Sequence, residues 1–156
     1  MIREVKSYLS NRYGGIVVEA ALIMPLMLTA GLGAIDASYM MVQNHKLENQ
    51  LSAAASYLSK SDSPELRENY AKQLAVTGSV SGGDVSVVNG WSVSDINITY
   101  LTTDNSDEIY RGDTNILTVQ LTTRLNYSGM GILSSIMPNR PMLSASVQER
   151  VVGGGL

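Results

Sequence analysis

Residues 15–35 read GIVVEAALIMPLMLTAGLGAI, and their only ionisable side chain is Glu19. As an α-helix this stretch is about 31 Å long at ~1.5 Å per residue. The hydrocarbon core of a bilayer is ~30 Å thick, so the segment is long enough to span one. Pro25 lies inside it and is expected to bend the helix or loosen its hydrogen bonds locally, because proline has no N–H to give the preceding turn. Ala30, Gly33, Ala34 and Ala37 keep the outer half thin. Small residues at four-residue spacing let membrane helices approach closely. The blander explanation is that Gly and Ala are simply frequent in membrane helices.

The flanks give the segment a direction. Residues 1–14, MIREVKSYLSNRYG, are polar and basic and run into Gly14-Gly15. Arg3, Lys6 and Arg12 precede the span, and only Lys46 follows it closely, so positive charge places the N-terminus in the cytoplasm and exports the rest. Residues 36–60, DASYMMVQNHKLENQLSAAASYLSK, contain no Gly or Pro and are rich in good helix formers. Met40, Leu47, Leu51, Ala54 and Leu58 form one apolar stripe along them. One rod from about 16 to 60 is expected, half in lipid and half outside.

Composition narrows the function. Charged residues make up 16% of the 156 residues, and their scarcity is concentrated in the span. Because the first 14 residues are net positive, the remainder is more acidic than the −3 of the whole chain. An acidic body argues against nucleic acid, whose phosphates need clustered Lys and Arg. With no cysteine, disulfides, thiol catalysis and thiolate metal sites are excluded.

Beyond residue 60 the pattern changes. SDSPELRENYAKQLAVTG (61–78) reads as a short helix, with Ser63 as N-cap, Pro64 at the first position and Gly78 as stop. The period then becomes two. DVSVV (84–88), Asn89-Gly90 and WSVSDINITYLT (91–102) read as strand, tight turn and strand. ILTVQLTTRLNY (116–127) and MLSASVQERVV (142–152) alternate apolar and polar residues, which suits an antiparallel sheet with one covered face. The rod and the short helix are the available covers, residues 103–114 and 128–141 are loops, and VGGGL is a tail. The fold class is α+β: a long N-terminal helix, a small antiparallel head at 61–156 and one extra helix.

Glu19 is the most informative side chain. An acid near mid-bilayer costs ~2.5–3.5 kcal/mol on insertion scales, so it usually has a partner or a task. One reading places it shallow, among cytoplasmic headgroups. The other couples it to a cut between Gly14 and Gly15, which would create an ammonium at Gly15 for a neighbouring subunit's Glu19 to neutralise.

NRYGGIVVEAALIMPLMLTAGLGAID resembles the N-terminus of the TadE-like minor pseudopilins of tight-adherence (Flp) pili. Gly14, Glu19 and Pro25 stand in that family's arrangement, and the likeness runs over about residues 11–58, through Asp36 and LENQLSAAASYL (47–58). The resemblance implies a prepilin peptidase cutting after Gly14, with Glu19 as the assembly glutamate. It implies as partners the major Flp pilin, other pseudopilins and the inner-membrane assembly platform. The site would be the bacterial inner membrane with a periplasmic head, and an extracellular pilus once assembled.

Other motifs carry less. GLGAID (31–36) lacks the third Gly of a dinucleotide loop and lies in the span. His45 stands without a second ligand, so it reads as a solvated side chain. Asp104, Asp107, Glu108 and Asp113 lack EF-hand spacing, leaving a solvated acidic loop or a weak calcium site. Trp91 is expected to pack on the sheet. No GxSxG elbow is present, and one histidine beside a membrane supports no catalytic triad. A non-enzymatic subunit without cofactor is therefore expected. The alternatives are an uncleaved single-pass protein with a binding or sensor head, and a secreted protein whose apolar stretch is a signal peptide.

Overall fold

The computed structural model describes residues 12–112, 114–132, 135, 139 and 141–153. The leader up to Asn11, Asp113, part of the 128–141 loop and the final Gly-Gly-Leu lie outside the described residues.

Helix α1 runs unbroken through Arg12–Ser59, with Pro25 inside it. The Thr29 hydroxyl donates back to the Pro25 carbonyl at 2.8 Å within that turn. The expected stripe is the buried face of the outer half: Leu47, Leu51, Ala54 and Leu58 are fully buried, and Met40 packs against them. The chain leaves α1 through a turn closed by Ser61 N–H to the Leu58 carbonyl at 3.0 Å.

The second helix begins differently from its expected cap. Pro64 precedes a 3-10 turn, Glu65–Arg67, and no side chain caps it. Helix α2 follows as Glu68–Thr77 and ends at Gly78, whose φ of 75° is left-handed and whose N–H reaches the Leu74 carbonyl. Glycine reaches that conformation without a Cβ clash, which is why the helix stops there. Ala71, Ala75 and Val76 bury one side of α2 against α1.

The expected strand–turn–strand at 84–102 is corrected. Residues 84–92 form no strand. Val87 N–H bonds instead to the Val76 carbonyl at the end of α2, and Trp91 N–H closes a turn on the Val88 carbonyl. Gly90, with φ 79°, supplies the left-handed residue of that turn. Ser92 and Asp95 then make a capping box around the 3-10 turn Val93–Asp95: Ser92 Oγ accepts from Ser94 N–H, and Asp95 Oδ2 accepts from Ser92 N–H. Short polar side chains satisfying nearby N–H groups displace the ladder that the alternation suggested.

Strand β1 is therefore Ile96–Asp104, followed by β2, Asn115–Asn126, and β3, Met142–Arg150. They form a three-stranded antiparallel sheet with β2 central. Ile98 pairs with Leu121, and Leu121 with Val147, which sets the inward face. Val119, Leu121, Leu143 and Ala145 are buried on it under α1, which lies mainly across β3. The rod is thus the chief cover of the sheet, and α2 packs on the rod. Trp91 is buried as expected, its Nε1–H donating to Thr123 Oγ1 at 3.0 Å, while the Thr123 hydroxyl donates to the Asp95 carbonyl. The far end of β3 is tied to the rod, with the N–H groups of Val152 and Gly153 both on the Ser59 carbonyl.

Candidate functional site: the bare helix and the carboxylate at its base

The first half of α1 touches nothing else among the described residues. Ile16, Val17, Leu22, Leu26, Met27 and Leu28 are each at least 60% exposed. Such a face is stable only against something apolar, since a row of bare aliphatic side chains in water costs ~25 cal/mol per Å² left unburied. The helix is long and apolar enough to cross a membrane.

Glu19 is exposed on this bare half, with no partner among the described residues. Gly14, Gly15, Gly31 and Gly33 have open space where a Cβ would stand, so their own chain does not require them to be small. Ala30, Ala34 and Ala37 are exposed, while Gly33 is half-buried. At 3.6 residues per turn, the 18 residues from Glu19 to Ala37 make about five turns, so the two lie on one side of the rod with Ala30 between them. The small residues and the acid thus share a face that the head leaves mostly uncovered.

The residue the sequence reading passed over is Asp36, directly after the apolar stretch. Its side chain is fully buried. Tyr127 Oη–H reaches Oδ1, Met130 N–H also donates to Oδ1 at 3.1 Å, and Ile132 N–H donates to Oδ2 at 3.1 Å. Two backbone N–H groups of one turn aimed at a carboxylate form a small anion nest, which compensates the cost of burying the acid. Burial, reinforced by the hydrogen bond and the charge of Asp36, pushes the Tyr127 hydroxyl well above its usual range, so it stays a donor. The ring of Tyr39, one turn further along α1, lies 6.3 Å from that of Tyr127 at 53°. Gly129 passes so close that a Cβ there would collide with the Tyr127 hydroxyl and Asp36 Oδ1. The available signal was spacing: Asp36 stands four residues before Met40, on the line of the buried stripe, where an acid needs partners.

The remaining motifs stay at the periphery. His45 is exposed and lies 3.5 Å from Glu48 on the next turn. The acidic loop is closed by its own bonds: Asn105 grips the Tyr110 N–H and carbonyl, and Asp104 accepts from Ser106. Among the described residues no group of three acids or histidines is arranged to hold a metal ion.

No curated protein and no solved structure matches the chain. The family described as TadE-like protein matches residues 14–56, from the Gly14-Gly15 pair through Glu19, Pro25 and Asp36 to the buried stripe. Over residues 14–56 the rod, bare half and covered half together, is thus similar to TadE-like proteins.

Proposed function

We propose that this chain is a minor pseudopilin, a non-enzymatic structural subunit of a tight-adherence (Flp) pilus, processed by a prepilin peptidase between Gly14 and Gly15. The TadE-like match supports involvement in the tight-adherence pilus system, and the long apolar helix is compatible with a single-pass membrane protein. One observation carries the reading: the family match coincides with a bare apolar helix whose only acid, Glu19, has no partner among the described residues.

The mechanism is physical rather than chemical. The basic leader keeps the N-terminus cytoplasmic, and α1 holds the precursor in the inner membrane with its head in the periplasm. Cleavage frees an ammonium at Gly15. A neighbour's Glu19 then meets it in a medium of low dielectric, where an unpaired acid costs ~2.5–3.5 kcal/mol and pairing removes that cost. The face bearing Ala30, Gly33, Ala34 and Ala37 lets the rods approach, with Pro25 adjusting the path of each. The partners are the peptidase, the major Flp pilin, other pseudopilins, the assembly platform and membrane lipid, with no nucleic acid and no cofactor.

Mass spectrometry of the N-terminus, on membranes from cells with and without the prepilin peptidase, tests the reading. The expected mature chain starts at Gly15 only when the peptidase is present. A full-length chain in both, or one beginning near residue 35, would overturn it.

A further inference from the structure

The turn that grips Asp36 also presents an apolar side chain to the outside. Met130 gives its N–H to Asp36 Oδ1 at 3.1 Å, yet its side chain is 60% exposed. Asp36 directly follows the apolar 15–35 stretch, so it marks the level at which the span leaves hydrocarbon. A backbone fixed at hydrogen-bond distance from that carboxylate is held at the same level. On the rod itself Leu32, Ile35 and Tyr39 are exposed near this height, so rod and head both present apolar side chains where the span ends. The sequence between Tyr127 and Arg140 carries no ionisable side chain, and the one acid nearby is buried and saturated with donors. Residues 128–139 themselves offer no charge to oppose contact with lipid.

We propose that the turn at 129–132 is a second membrane contact of the chain, with the Met130 side chain seated in the outer leaflet beside the span. The proposal rests on reading the first half of α1 as the membrane-spanning segment. A single helix leaves a head free to tilt about its point of exit. A second apolar contact beside it, held by the Asp36 carboxylate, removes much of that freedom and presents the sheet at a defined angle to the membrane. The occupant is the lipid surface itself, because the Asp36 bond holds an exposed apolar side chain at the level where the span ends.

The absence of cysteine makes a direct test clean. Single nitroxide labels at Met130→Cys, Leu26→Cys and Leu66→Cys are placed in the full chain, reconstituted into phosphatidylethanolamine–phosphatidylglycerol vesicles. Leu66 is a matched control: it is 82% exposed, and the Arg67–Tyr57 bond of 3.3 Å places it beside the far end of the rod. That is about 31 Å along the helix from Asp36 at ~1.5 Å per residue. Oxygen accessibility is expected to exceed nickel-chelate accessibility at Leu26 and Met130, and the reverse is expected at Leu66. A lipid-like Leu26 with an aqueous Met130 would overturn the second contact and leave the span reading standing. An aqueous Leu26 would overturn both.

Discussion

The Tyr127 hydroxyl stands 2.5 Å from Asp36 Oδ1 and 2.9 Å from the Asp36 carbonyl oxygen, joining the residue just after β2 to the middle of α1. The Tyr127 N–H in turn holds the Pro141 carbonyl at 2.9 Å, next to the start of β3. Two strands are thereby tied to the rod at the level where its bare half begins. The opposite end of the sheet is tied at Ser59, so the head is fixed to the rod at both ends.

Removing one partner of a buried hydrogen bond costs more than the bond contributes net, because the other partner is left unsatisfied. Tyr127→Phe is expected to destabilise the fold by ~1–3 kcal/mol. Asp36→Ala is expected to cost more, since it strands the hydroxyl and two backbone N–H groups. Thermal denaturation of the full chain in detergent micelles measures both. A Tyr127→Phe melting temperature equal to wild type would show that this joint contributes no stability.

Gly129→Ala and Gly90→Ala separate crowding from backbone strain. At Gly90 a Cβ meets open space, and the cost is the left-handed conformation alone, ~1–2 kcal/mol. At Gly129 it would strike the Tyr127 hydroxyl and the Asp36 carboxylate. The Gly129 variant is expected to lose more of its melting temperature. The reverse order would mean that the turn shifts freely and is not held by Asp36.

Alkaline pH acts through the same tyrosine. Below the ordinary tyrosine value near 10, the Tyr127 hydroxyl is protonated in both folded and unfolded chains, so its contribution is complete. Above that value the unfolded chain releases a proton that burial and Asp36 make the folded chain keep, so stability falls as pH rises. Melting temperature is expected to decline from about pH 10 upward, and less steeply in Tyr127→Phe. Tyr100, raised by burial and by the charge of Glu68, accounts for part of the remaining slope. Identical slopes for wild type and Tyr127→Phe would rule out the contribution of Tyr127.

Glu19→Ala removes the acid from the bare helix without touching the head. Membrane insertion is expected to be intact or improved, because an unpaired acid in the span is unfavourable by ~2.5–3.5 kcal/mol. Recovery of the subunit with other pilus components from membranes is expected to fall. Normal co-purification and normal piliation in that variant would remove the charge-pairing role.

The rod, its stripe and the bare face of 15–35 follow from residues alone. Helical period and hydropathy are local properties, and nothing elsewhere in the chain competes with them over so long a run. Strands β2 and β3 are legible for the same reason, since Leu143, Ala145, Val119 and Leu121 alternate cleanly. Residues 84–95 are not, because a Ser92–Asp95 capping box and an alternating strand share the same polar letters. Which one forms depends on what lies beside them, here the end of α2, which takes the Val87 N–H, and the Thr123 hydroxyl, which takes the Trp91 Nε1–H. Asp36 is the sharpest case. Its charge and place are plain in the sequence, but its donors lie more than 90 residues away, and only folding decides that a turn after β2 comes back to meet it.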